Sequence, residues 1–273
     1  ERARILHRAA DNPLELPFPG PADRDRLLRA YAPVFEVDVA GDDDRIGWPA
    51  LAPGGLPRVD TSRPVVFAYL SHTRFEGESL LQLNYVIWFP ARPPGGPLDI
   101  LAGRLDGFNW RVTLDRDGGP LIYDSVHNCG CYHLFVPGEK VRFTGAESAF
   151  EEPALIPQSL PLAPGRLVVR VASRTHYIQR AYFGAPAGEE SYALADYDRL
   201  RALDTGRGGR RSLFDANGIV PGTERGERWL FWPMGIENPG AMRQRGRQPT
   251  AFVGRRHFDD PDLFSRYFRR VDR

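Results

Sequence analysis

At 273 residues the chain can bury a sizeable core, and 42% hydrophobic with 26% charged residues is a globular rather than a disordered composition. A net charge of +1 gives no field to recruit nucleic acid or an anionic membrane, and no apolar run approaches the ~20 residues that span a bilayer. Two cysteines are too few for a disulfide scaffold, and a start at Glu1 rather than methionine leans toward a processed, periplasmic or secreted protein.

Glycine (28) and proline (25) are spread throughout, which predicts short elements separated by structured turns. Residues 1–63 read as an irregular lead holding one short helix, Ala22 to Tyr31, with Leu27, Leu28 and Tyr31 on one side. Asp42, Asp43 and Asp44 lack the spaced ligands of a calcium loop and read as a solvated turn.

Residues 64–183 read as the β-rich core. "PVVFAYLSHTRF" and "SLLQLNYVIWF" flank "EGE", a hairpin signal. A turn centred on Gly77 sets His72 opposite Gln82 and residue 70 opposite Asn84. Leu81, Leu83, Tyr85, Ile87 and Phe89 then share one face, while His72, Arg74, Gln82 and Asn84 share the other. Leu80, Val86 and Trp88 accompany the polar set, which points to partial burial or a cleft. A second hairpin runs from "FNWRVTL" through "DRDGG" to "PLIYDSVH", and "RLVVRVASRTHYIQRAYF" is the longest strand-like run, carrying His176.

Residues 184–273 are mixed. "EESYALADYDRLRALD" has helical spacing at Ala193, Tyr197, Leu200 and Leu203; "RWLFWPMG" reads as a strand with core aromatics; "DDPDLFSRYFRR" reads as a short helix. The expected fold class is α+β: a single domain with a mainly antiparallel sheet or sandwich core, a few short helices and long Pro/Gly-rich loops.

The chemistry concentrates in "DSVHNCGCYHLF", residues 124–135, where His127, Cys129, Cys131 and His133 alternate. On a regular strand all four project to one face, but the outer histidines lie ~20 Å apart, too far for one tetrahedral ion. Either Gly130 breaks the strand or other strands complete the site. His72 and His176, on expected neighbouring strands, are the candidates to do so. The leading expectation is a metal-dependent enzyme with zinc, copper or iron held by His72, His127, His133 and His176, working by metal-activated water or redox chemistry. Cys129, Cys131 and Asp124 are the candidate catalytic residues. Gln82, Asn84, Arg174 and Arg255 are the candidate contacts to a small or anionic substrate.

Two other readings rest on the same stretch. One is a binding or interaction protein with a structural metal or none. The other is a hydrolase in which a cysteine pairs with a histidine. A Cys129–Cys131 disulfide, with one residue between its cysteines, is strained and easily reduced, which suits redox chemistry better than reinforcement.

Overall fold

The hydrophobic alternation from Val65 to His127 is long enough for four consecutive strands, and a computed structural model of the chain shows them paired into one sheet. It describes residues 1–145, 152–185, 187–188, 190–206, 208–251 and 256–271. In chain order the strands used below are β1 (Val34–Val37), β2 (Trp48–Leu51), β3 (Pro57–Asp60), β4 (Val65–Phe75), β5 (Glu78–Arg92), β6 (Gly103–Leu114), β7 (Pro120–His127), β8 (Leu134–Pro137), β9 (Val141–Phe143), β10 (Arg166–Val171), β11 (Ile178–Gly184) and β12 (Ala193–Asp196). The α-helices are α1 (Arg2–Ala9), α2 (Pro21–Tyr31), α3 (Glu227–Leu230) and α4 (Leu263–Tyr267).

The main sheet has the order β12-β4-β5-β6-β7-β8, antiparallel except for the β12–β4 edge pair. A smaller sheet, β1-β10-β11, helps cover one face together with α1 and α2. The fold is thus α+β with an antiparallel-rich sheet core, as the patterning predicts. Among the described residues no helix is long and apolar enough to cross a membrane.

Leu81, Leu83, Tyr85, Ile87 and Phe89 do share one face, and all are buried against Leu27, Leu28, Val169 and Val171. Each side chain so buried stabilises by about 1.5–3 kcal/mol, so this row is a main source of stability. The other face is also covered. Val86 and Trp88 meet Phe67, Tyr197, Leu200 and Met242, and farther along Leu80 meets Phe135 and α4.

Between those apolar patches runs a polar ladder. Ser71 donates to Gln82, Gln82 donates to Thr113, Asn84 donates to Ser71, and Asn109 donates to both Asn84 and Tyr69. Such bonds contribute only ~1 kcal/mol net each, but leaving one unmade inside the sheet costs more, so the ladder fixes register. Gln82 and Asn84 belong to this ladder. They are enclosed in the sheet rather than open to a substrate.

The first hairpin differs by one residue from the expected pairing. Its turn is the two residues Glu76 and Gly77, both with positive φ (50° and 83°), so Ser71 faces Gln82 and Tyr69 faces Asn84. A one-residue shift moves every side chain of a strand to the opposite face. His72 therefore pairs with Leu81, on the side away from Gln82 and Asn84. Its Nε2 lies 2.9 Å from the Pro17 carbonyl, and Phe18 packs edge-on to its ring.

Three further expectations give way to tertiary structure. The segment expected as the clearest helix forms β12, which pairs with the edge of β4, and a short 3-10 turn begun by Asp196 accepting from Asp198 N–H. "RWLFWPMG" is helical, not extended: α3 leads into a 3-10 turn at Trp232–Met234. Glu227 and Phe231, four residues apart, face inward, whereas Trp229 and Trp232 are each 71% exposed. Asp44, read as part of a solvated turn, is buried and accepts from the backbone N–H groups of Ala40 and Gly41.

Candidate functional site

β7 stops at His127, and the chain reverses there rather than continuing as one strand. Gly130 N–H donates to His127 C=O (2.7 Å) and His127 N–H to Cys131 C=O (2.9 Å), closing a hairpin into β8. Pairing resumes with Ser125 opposite Leu134 and Asp124 opposite Phe135. Gly130 has φ +103°, and a Cβ there would fall 2.3 Å from the Pro249 carbonyl oxygen, so the reversal requires glycine. Asn128 anchors the tip, its amide donating to Ile87 C=O and its carbonyl accepting from Arg243 N–H.

This reversal separates the two histidines. In the β7–β8 register His127 lies on the face of Phe108 and Ile87, while His133 lies on the face of Asp124. On its face, His127 Nδ1 is 3.7 Å from Asp106 Oδ1, and His176 Nδ1 donates to Asp106 Oδ2 at 2.8 Å. His176 is not in a strand. It occupies the β10–β11 turn with φ +54°, stacked on Phe89 at 3.8 Å, with Asp44 Oδ1 3.2 Å from its Nε2. Arg225 donates to Asp106 Oδ1 and to the carbonyls of Leu101 and Leu105. Burial would raise the Asp106 carboxyl, but Arg225 and the two imidazoles outweigh it and hold it well below the usual range.

On the opposite face, Arg111 donates to both oxygens of Asp124, at 2.9 and 2.5 Å, and His133 Nε2–H donates to Asp124 at 2.9 Å. Burial pushes the Asp124 carboxyl up, yet Arg111 and His133 bring it below the ordinary value. Burial holds the His133 imidazole below 6.5 against the opposing pull of Asp124. Phe258 supplies a carbonyl to Arg111, and its ring lies 3.6 Å from the guanidinium carbon. Asp124 is thus the centre of a buried ion-pair network.

The four histidines named from sequence therefore do not meet at one point. His127 and His176 share Asp106, His133 is on the other face, and His72 lies level with Leu81, six residues (~20 Å) along β5 from the His127 row. Among the described residues, no three His, Cys, Asp or Glu side chains are grouped as ligands for a metal ion. Arg174 is exposed in the β10–β11 turn, donating to the Pro94 carbonyl, and Arg255 lies outside the described residues.

Cys129 and Cys131 are brought together. Both are free thiols, and Cys131 N–H donates to Cys129 Sγ at 3.4 Å. The neighbouring Cys131 side chain favours the Cys129 thiolate and lowers the Cys129 thiol below its ordinary value despite burial, with Arg225 adding positive field. The same proximity, together with desolvation, raises Cys131 well above its usual value. The pair therefore gives up its first proton more readily and holds the second more tightly than two separate thiols would, with Cys129 the acidic member.

Both sulfur-bearing residues line a cavity of about 420 Å³, in the range of small-molecule sites. Ile100, Leu101, Phe231, Ile236 and Pro249 give it an apolar body, and Glu227 is a charged residue of the same wall. Glu227 escaped the sequence reading because it stands just before a segment, 228–235, expected as a strand; only its i, i+4 spacing to Phe231 signals a shared helical face. Comparison of the chain with protein-family models, with curated proteins and with solved structures finds no match.

Proposed function

We propose that this protein is a dithiol oxidoreductase acting on small molecules with an apolar body. The observation that carries this reading is the Cys129–Cys131 pair, with Cys131 N–H donating to Cys129 Sγ, on the wall of the 420 Å³ cavity. Cys129 is the nucleophile because the thiolate, not the thiol, attacks sulfur. In the reducing direction the Cys129 thiolate attacks a substrate disulfide and expels one thiolate. Cys131 then attacks Cys129 Sγ and expels the second, leaving a Cys129–Cys131 disulfide and two electrons on the substrate. A small external thiol runs the same exchange backwards. Both the low value of Cys129 and the strain of so small a ring favour the reduced protein, so the oxidised form acts as a disulfide donor.

The test is alkylation by iodoacetamide across pH, with each cysteine followed by peptide mass spectrometry. Cys129 should react with a midpoint below that of an ordinary thiol (~8.5), and Cys131 only at higher pH. Equal, ordinary midpoints at both positions would remove the basis for the proposal.

A metal-dependent enzyme is the second reading, and the placing of both cysteines on one cavity wall favours it, since neighbouring thiolates suit soft metals. Zinc, copper or iron added to reduced protein would then protect both cysteines from the same reagent.

A further inference from the structure

Glu227 opens α3, is 3% exposed, and lines the same cavity as Cys129 and Cys131. Gly240 is built around it: with φ +82°, a Cβ at that position would lie 2.1 Å from Glu227 Oε2. The carboxyl is thereby held inside the cavity wall rather than turned to solvent. We infer that Glu227 is the proton carrier of the exchange, accepting the Cys131 proton as Cys131 attacks and returning it when Cys131 leaves. This inference rests on the dithiol reading.

The chemistry favours such a group. Cys131, half-buried and beside the Cys129 sulfur, holds its proton tightly, so its attack on Cys129 Sγ is helped by a base within the cavity. Burial also raises the Glu227 carboxyl above its usual value, against the pull of Arg225 and Arg92, which brings it closer to neutral pH. The balance of the step is complete. The Cys131 S–H bond breaks and its proton moves to the Glu227 carboxylate. The sulfur lone pair forms the S–S bond to Cys129, and the substrate thiolate departs with the electrons of the bond that breaks. In the reverse direction the Glu227 carboxylic acid protonates the departing Cys131.

The experiment uses reduced full-length protein and a chromogenic aryl disulfide, with stopped-flow release of two aryl thiolates. The first release reports attack by Cys129, and the second reports attack by Cys131. In Glu227→Gln the first should be no slower than in wild type, because removing the carboxylate also eases ionisation of Cys129. The second should slow about 100-fold at neutral pH, within the range general acid–base catalysis contributes. Its rate should then rise with hydroxide, losing the inflection that belongs to the carboxyl. Glu227→Asp, which keeps a carboxyl, should retain that inflection and guards against a folding defect in the amide variant.

A merely electrostatic neighbour acts in the opposite sense. Removing a negative charge beside Cys131 makes the thiol easier to ionise and speeds the second release. An unchanged or faster second release in Glu227→Gln, with wild type releasing both thiolates, overturns the role of Glu227 alone. Release of fewer than two thiolates by wild type overturns the dithiol reading together with this one.

Discussion

Asp124→Ala should destabilise the fold by about 3–5 kcal/mol, the usual cost of removing one partner from a buried ion pair. Asp124 is fully enclosed and receives three donors, two from Arg111 and one from His133. Its loss leaves the Arg111 guanidinium, itself 2% exposed, without its bidentate carboxylate in the middle of the sheet. The same network makes the fold acid-sensitive in two stages. The His133 value is depressed in the folded state, so stability falls once pH drops below ~6.5, where the unfolded chain binds a proton that the folded chain refuses. The Asp124 value is also depressed, so its contribution is present above ~3.9 and is lost as pH falls through the folded value. Urea unfolding followed by circular dichroism checks both effects. An Asp124→Ala midpoint equal to wild type would mean that the ion-pair network contributes nothing to stability.

Cys129→Ser should abolish thiol–disulfide exchange altogether, whereas Cys131→Ser should stop it halfway. With Cys129 intact and Cys131 absent, the first thiolate leaves and the substrate remains attached to Cys129 as a mixed disulfide visible as added mass. Without Cys129 the remaining thiol loses its partner and its role as second attacker. The asymmetry follows from the coupled pair: Cys129, whose sulfur accepts from Cys131 N–H, is the acidic member. Trapping on Cys131 in Cys129→Ser, at wild-type speed, would reverse the assigned order. Both serines leave the Gly130 and Asn128 contacts at the hairpin tip in place, and in Cys129→Ser a hydroxyl oxygen replaces the sulfur that accepts from Cys131 N–H.

How much of this was legible in the sequence depends on whether local pattern or tertiary contact decides each element. The alternating faces of β5, the helix ending at Tyr31 and the β6–β7 hairpin follow from periodicity that packing reinforces. The register of β4 against β5 turns on whether the loop holds two residues or three, and that single residue moved His72 to the far face. Ala193–Asp196 has helical neighbours in sequence but finds an unpaired strand edge in space, and the edge wins. At the site, a break at Asn128-Cys129-Gly130 is one of two alternatives open in the sequence, because glycine there permits reversal. The separation of His127 from His133 was not, because hairpin register assigns their faces. Asp106, Arg225 and Glu227 carry no local motif; their roles come from long-range contacts with the hairpin tip, the β10–β11 turn and the thiol cavity.

The dithiol account stands most directly on a redox titration of the folded protein in graded thiol–disulfide buffers, with Cys129 and Cys131 mapped by mass spectrometry. The account predicts a two-electron transition that interconverts free thiols and a Cys129–Cys131 disulfide, at a potential less negative than the about −300 mV of structural disulfides. Thiols that stay reduced at every poise until the chain unfolds would contradict it.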